Sequence, residues 1–299
     1  MGIVSCKNAT KNGTNASYEM PEIVESLEIE SIVVNGNLEN VERGENITLY
    51  KYYGNDIQPF TSTTVHLDGA FQFKLENVKA GFYYIMLENQ NPIELIFSPL
   101  DKTIKVYSQN DKVLIESEEI NVFNEFKSIV SKRDFSLDST SNLLGSISSS
   151  DPDYYRKKDK MRLDVDLETI RYYQLFDAFY HKYPDSYTAQ ILMPLLRKTT
   201  RNDSKELMEK FDNHHAYYHH HYFKNINLNS SYLLTNPYFL REFKTYLNHF
   251  RGEFEKDYYQ SSDIVLSQIS NRENKEFLID YMAYFCLLYT SPSPRDDIS

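Results

Sequence analysis

The chain reads as an α+β protein in two parts, an N-terminal antiparallel β-sandwich followed by an all-α helical domain. Three observations predict this. Before residue 118, short runs of β-branched and aromatic residues alternate with turn signals at about ten-residue spacing. After it, apolar residues recur at helical spacing. The charge balance also shifts, from 12 basic and 21 acidic side chains in residues 1–150 to 20 and 22 in residues 151–299.

The strand candidates are Ile29–Leu38, Ile47–Tyr53, Thr63–Leu67, Ala70–Leu75, Phe82–Glu88, Ile93–Phe97, Thr103–Tyr107 and Lys112–Glu116. Asn35-Gly36, Arg43-Gly44, Gly54-Asn55, Asp68-Gly69 and Ala80-Gly81 are turn signals within or between them. Phe71, Phe73 and Leu75 alternate with Gln72, Lys74 and Glu76, which gives one buried and one wet face. Asp68-Gly69 predicts a hairpin turn, because glycine accepts positive φ without steric cost.

The helical part opens at Glu119–Lys132, where Ile120, Phe123, Phe126, Ile129 and Val130 fall on one face. Ser136–Ser150 holds seven serines and reads as a linker or long loop. Asp153–Tyr183 is a long helix ended by Pro184, with an inward stripe of Tyr172, Tyr173, Phe176, Phe179 and Tyr180. Ser186–Lys198 follows, with Pro194 as a kink. Asp203 opens a further helix to about Lys224, with Glu206 completing a capping box. Asn236-Pro237 pairs an N-cap with proline at the first helical position. Pro237–Phe250, Lys256–Ser270 and Asn274–Leu287 complete the set.

Composition limits the function. With 299 residues, 41% of them apolar, the chain supports a packed core. No apolar run approaches the roughly 20 residues that a membrane-spanning helix requires. A net charge of −11 argues against general nucleic-acid binding, which needs a basic face for phosphate. Cys6 and Cys286 are the only cysteines, so there is no disulfide framework and no four-thiolate zinc site. P-loop, GxGxxG, GxSxG and CxxC motifs are all absent from the sequence.

Asp212-Asn213-His214-His215-Ala216-Tyr217-Tyr218-His219 is the densest group of metal-ligand side chains. On a helix His215 and His219 share a face, with Asp212 one turn earlier, a spacing that suits zinc. Position 216 is alanine, so the glutamate of a metalloprotease helix is missing. The favoured reading is an amphipathic helix with Tyr218, Tyr222 and Phe223 toward the core and no evolved metal site. Asp164, Asp166 and Glu168 read as a solvated face, and Arg156-Lys157-Lys158-Asp159-Lys160 as a wet helix surface.

Ile3-Val4-Ser5-Cys6 looks like a lipobox, with Cys6 the lipid-attachment residue and the polar stretch after it a tether. Only five residues precede Cys6, so the expectation is a clipped signal peptide. At the other end the helical pattern breaks after Phe285. The Ser/Pro-rich string from Cys286 resembles translated sequencing-adapter read-through, so it is expected to be non-native or disordered. The resulting division is residues 1–25 as lipobox and tether, 26–117 as sandwich, 118–285 as helical domain and 286–299 as tail.

Ile32-Val33-Val34-Asn35-Gly36, Asp68–Phe73, Gly81–Ile85 and Ile93–Pro99 resemble an N-terminal β-sandwich found before thioredoxin modules in envelope lipoproteins of Gram-negative bacteria. Tyr222-Phe223-Lys224-Asn225-Ile226-Asn227-Leu228 with Leu233-Leu234-Thr235-Asn236-Pro237 is similar to a segment of the helical domain that follows it in that family. Lys224 and the Thr235-Asn236 pair depart from the family pattern. The resemblance implies that a TlpA/ResA-like thioredoxin domain with a Cys-x-x-Cys motif comes next; this chain has no counterpart of those cysteines, so no catalytic residue is carried over. It further implies a periplasm-facing lipoprotein held to the membrane through Cys6, a redox-inert, non-catalytic region without a cofactor, and envelope proteins or peptides as partners. The rival readings are a complete envelope binding protein and a weak metal-binding helical domain.

Overall fold

The computed structural model describes residues 27–39, 41–87, 91–110, 112–196, 214–250 and 255–290. Eight strands come first: β1 Glu28–Asn37, β2 Asn46–Tyr53, β3 Asp56–Thr64, β4 Ala70–Lys79, β5 Gly81–Met86, β6 Ile93–Phe97, β7 Thr103–Gln109 and β8 Lys112–Glu116. They form two sheets of four, ordered β4-β1-β7-β8 and β3-β2-β5-β6. Neighbours are antiparallel except β1 and β7, which run parallel from Val33 beside Thr103 to Asn37 beside Tyr107.

Burial follows the layering. On β4 the expected alternation holds, with Phe71, Phe73 and Leu75 buried and Gln72, Lys74 and Glu76 exposed. On β5 and β6 nearly every residue is buried, which requires cover on both faces of that sheet. Helical residues supply the outer cover: the Phe82 ring lies 6.0 Å from Phe123, 5.9 Å from Tyr187 and 5.7 Å from Tyr238.

Two strand expectations need correction. β3 starts at Asp56, well before the expected Thr63. Pro59 within it sits on an edge strand opposite Tyr50, beside a register shift, where a missing N–H costs little. The Asp68-Gly69 turn forms, with Gly69 at φ +81 and Asp68 Oδ1 accepting from the Ala70 N–H at 3.1 Å. It joins β3 in one sheet to β4 in the other, so it is not a hairpin between paired strands.

The helices are α1 Glu118–Ser146, α2 Tyr154–Lys182, a π-helical turn Thr188–Leu192 running into α3 Met193–Leu196, α4 His214–His221, α5 Pro237–Phe250, α6 Glu255–Leu266 and α7 Arg272–Thr290. α1 runs through most of the serine-rich segment that had read as a loop. Ser139, Thr140 and Ser146 turn their hydroxyls back onto the carbonyls of Phe135, Ser136 and Leu143. That back-bonding removes the competition that normally makes such residues poor helix formers. α2 supports the segment from the side, as Ser136 donates to Glu168 at 3.1 Å. α7 continues past Phe285 to Thr290, where the pattern had been expected to break. The Asn236 cap is confirmed, its Oδ1 accepting from the Tyr238 N–H at 2.9 Å. The expected start at Asp203 lies outside the described residues.

Two apolar clusters result. The first joins both sheets to Phe123 and Phe126 of α1, Phe176 and Phe179 of α2, and Tyr187–Met193 around the π-helical turn. The second gathers Phe223 and Leu228 with α5, α6 and α7 around Phe239, Phe243, Tyr246 and Leu278. Tyr238 packs against both.

Two buried carboxylates hold α1 in place, one from the loop after β6 and one against the π-helical turn. Asp101 accepts from the Ser117 hydroxyl and the Glu118 N–H, both at 2.7 Å, and from the Glu119 N–H at 3.1 Å. It thereby satisfies donors at the start of α1 that no intrahelical carbonyl can reach. Glu119, itself fully buried, accepts from the N–H groups of Tyr187 (3.1 Å) and Thr188 (2.8 Å) and from the Thr188 hydroxyl (2.6 Å).

Candidate functional site

A cleft of about 310 Å³ lies where the end of the sandwich meets the helical region. One wall is Lys51 and Tyr53 at the end of β2, with Phe60 of β3. The floor is the β4–β5 connection, where the chain crosses between sheets, and Tyr83. The far wall is Thr235 and Glu273. A second pocket beside Gln190 and Asn236 measures about 30 Å³, room for little more than one water.

Local sequence explains the cleft. The chain reverses between β2 and β3 at Gly54, at φ +65, and its N–H donates to the Leu234 carbonyl at 2.6 Å. A Cβ at Gly54 would lie 2.3 Å from the Phe277 ring of α7. The crossing from β4 to β5 places Gly81 at φ +148, with Thr235 in contact with the bare Cα side. Both turns are therefore where helices dock on the sandwich, and each depends on a missing side chain. Gly54→Ala is expected to cost about 1–3 kcal/mol, from left-handed strain plus the clash. Hydrogen exchange would show α7 and Ser230–Asn236 losing protection while β7 and β8 keep theirs. Unchanged exchange at α7 would refute the docking role.

The chemistry of the cleft is that of donors and aromatic faces. Tyr53 donates to Glu273, and burial, then that bond and the carboxylate charge, push the Tyr53 phenol up to about 12. Burial carries Tyr52 up to about 12 as well, with Tyr281 adding to it. Tyr83 is raised further by burial; its hydroxyl donates to the Lys79 carbonyl at 2.9 Å, and its ring stacks on Phe97 at 4.0 Å. These phenols stay protonated near neutral pH and act as hydrogen-bond donors, not bases. The Lys51 ammonium lies 5.7 Å from the centre of the Phe60 ring, which is 38% exposed. The wall thus offers a cation, a carboxylate and an open aromatic ring, while the Tyr53 and Tyr83 hydroxyls are spent on Glu273 and the Lys79 carbonyl and stiffen it.

The residues singled out from sequence lie elsewhere. Cys6 and Asp212 fall outside the described residues, and for His215 and Cys286 only the helical backbone of α4 and α7 is described. His219 bonds through Nε2 to the Ser261 hydroxyl at 2.9 Å, and its ring lies 5.7 Å from Tyr246, which joins α4 to α6 and α5. His221 stacks on Tyr217 at 4.4 Å. Tyr217 of α4 is fully buried, and the side chain of Tyr218, expected to face the core, lies outside the described ones. Among the described residues no group of three or more His, Cys, Asp or Glu is placed to hold a metal ion. Among the described residues, too, no helix is long and apolar enough to cross a membrane.

The sequence reading missed the cleft because it assembles residues from 51 to 273, and no local motif marks it. Its signals were present as two turn glycines, Gly54 and Gly81, each beside a tyrosine pair on a strand. Compared with known proteins, the chain matches no family model, no curated protein and no solved structure.

Proposed function

We propose that this chain is a non-catalytic binding region, the accessory part of a cell-envelope lipoprotein of the thiol–disulfide exchange type, and that the cleft takes an extended peptide segment of a partner. One observation carries the binding role: an aromatic cleft opens beside Phe60 on β3, which among the described residues is the edge strand of its sheet. Such an edge can add a strand, with neighbouring pockets reading alternate side chains. Pro59 interrupts that edge, which leaves Phe60–Thr64 as the pairing stretch. The envelope address is supported by the lipobox at Cys6 and the tether after it. The order of a sandwich and then helices agrees with the family resemblance.

The test is hydrogen exchange on the purified chain mixed with a library of unfolded peptides. Protection of Phe60–Thr64 and the β4–β5 crossing, lost in Phe60→Asp, is the expected result. Peptide binding that leaves those segments unprotected, or no binding at all, would overturn the proposal. Disulfide reduction by the purified chain in an insulin assay would overturn the non-catalytic reading.

A further inference from the structure

The α1–α2 hairpin carries apolar side chains that stand exposed among the described residues. Leu163, Leu167 and Ile170 are 57%, 56% and 40% exposed. Their 4-then-3 spacing puts them in one stripe on the flank of α2. The same helix buries Tyr172, Phe176 and Phe179. Phe135 and Leu143 of α1 are also exposed. A two-helix hairpin has too little contact to bury two such faces, and pairing with another hairpin into a four-helix bundle is the common solution.

The charges on α2 indicate what covers the stripe. Arg156–Arg162 holds five basic residues and one acid, whereas Leu163–Ile170 holds Asp164, Asp166 and Glu168 and no base. Lys160, Asp164 and Asp166 make no ion pair among the described residues, and the pairs Arg162–Asp159 (3.9 Å) and Arg171–Glu168 (3.7 Å) are long. A helix with a positive half followed by a negative half is complementary to itself when reversed.

We propose that this flank of α2 is a self-association surface on which a second copy of the chain docks antiparallel about a two-fold axis near Val165. That register sets Leu163 against Leu167 of the second copy and Asp159 against its Arg171. The parallel alternative stacks five bases on five bases. Asp164 then faces Asp166 across the axis, which keeps the affinity modest.

Sedimentation velocity of the whole chain over a range of concentrations tests this. A reversible dimer that weakens with added salt is expected. Leu163→Glu with Leu167→Glu, both at exposed positions, is expected to raise the dissociation constant about 100-fold or more without changing the helical circular dichroism. Asp159→Arg is expected to weaken the dimer, and adding Arg171→Asp to restore it. A wild-type chain that remains monomeric up to about 0.5 mM would overturn the proposal. So would a dimer indifferent to these variants, or a monomer whose own residues 1–26 protect the stripe from hydrogen exchange.

Discussion

Replacing Gly36 with valine is expected to destabilise the fold by about 2–4 kcal/mol. Gly36 sits on β1 directly opposite Phe71 on β4, and the Phe71 ring lies across it. A Cβ at position 36 would fall 1.9 Å from the ring's Cζ, inside any tolerable contact. Phe71 is 2% exposed and packs edge-on against Phe73 at 5.8 Å, so its ring has nowhere to retreat. A phenyl ring covering a cross-strand glycine restores the contact that the missing side chain gives up. The check is a double-mutant cycle in urea. Gly36→Ala with Phe71→Leu is expected to cost less than the sum of the two single changes. Simple additivity would show that the ring and the glycine are not coupled.

Glu119→Ala is expected to cost about 3 kcal/mol or more, because it strands two backbone N–H groups and a hydroxyl in a dry interior. Tyr187 and Thr188 supply those donors, and both residues are fully buried. Glu119→Gln keeps one acceptor and is expected to cost about half as much. Burial raises the Glu119 carboxyl above the ordinary carboxylate range, although bonds from Thr188, Ser98 and the Tyr187 backbone pull it back. For an acid raised in the folded state, the folded chain holds its proton longer than the unfolded chain does. Its contribution is therefore complete below the unfolded value and declines as pH rises through the window up to the folded value. Urea midpoints across that window would show the wild type losing stability relative to Glu119→Gln as pH increases. A difference that stays flat with pH would mean the carboxyl is not raised.

How much of this was legible in the sequence depends on how local each feature is. β6 and β8 were read from end to end, because β-branched and aromatic residues run between clear turns. The Asn236 cap was legible for the same reason: its partner is two residues away. The extension of α1 through the serines was not, since side-chain back-bonds and the Glu168 contact from α2 override a propensity that points toward a loop. The Asp68-Gly69 turn was legible as a turn, but which sheet each flanking strand joins is set by pairing partners far along the chain. The cleft was least legible of all. Tyr53 and Glu273 meet across 220 positions, and a strand tyrosine beside a turn glycine looks like any other until the helices close over it. The charge blocks of α2 were plain in the sequence, yet they read as solvated surface, because only the fold shows the uncovered leucines between them.

The cover over the second sheet also has a timing. Phe82, on the same sheet as Phe97, gets its cover from Phe123 and Tyr187. Tyr187 leaves the ribosome 90 residues after Phe97, since 187 − 97 = 90. At usual synthesis rates that interval lasts about 5–18 s. Throughout it the nascent sheet presents an aromatic face to the cytosol. A holding chaperone that recognises bare apolar strands therefore has its window early, before the helices have been translated.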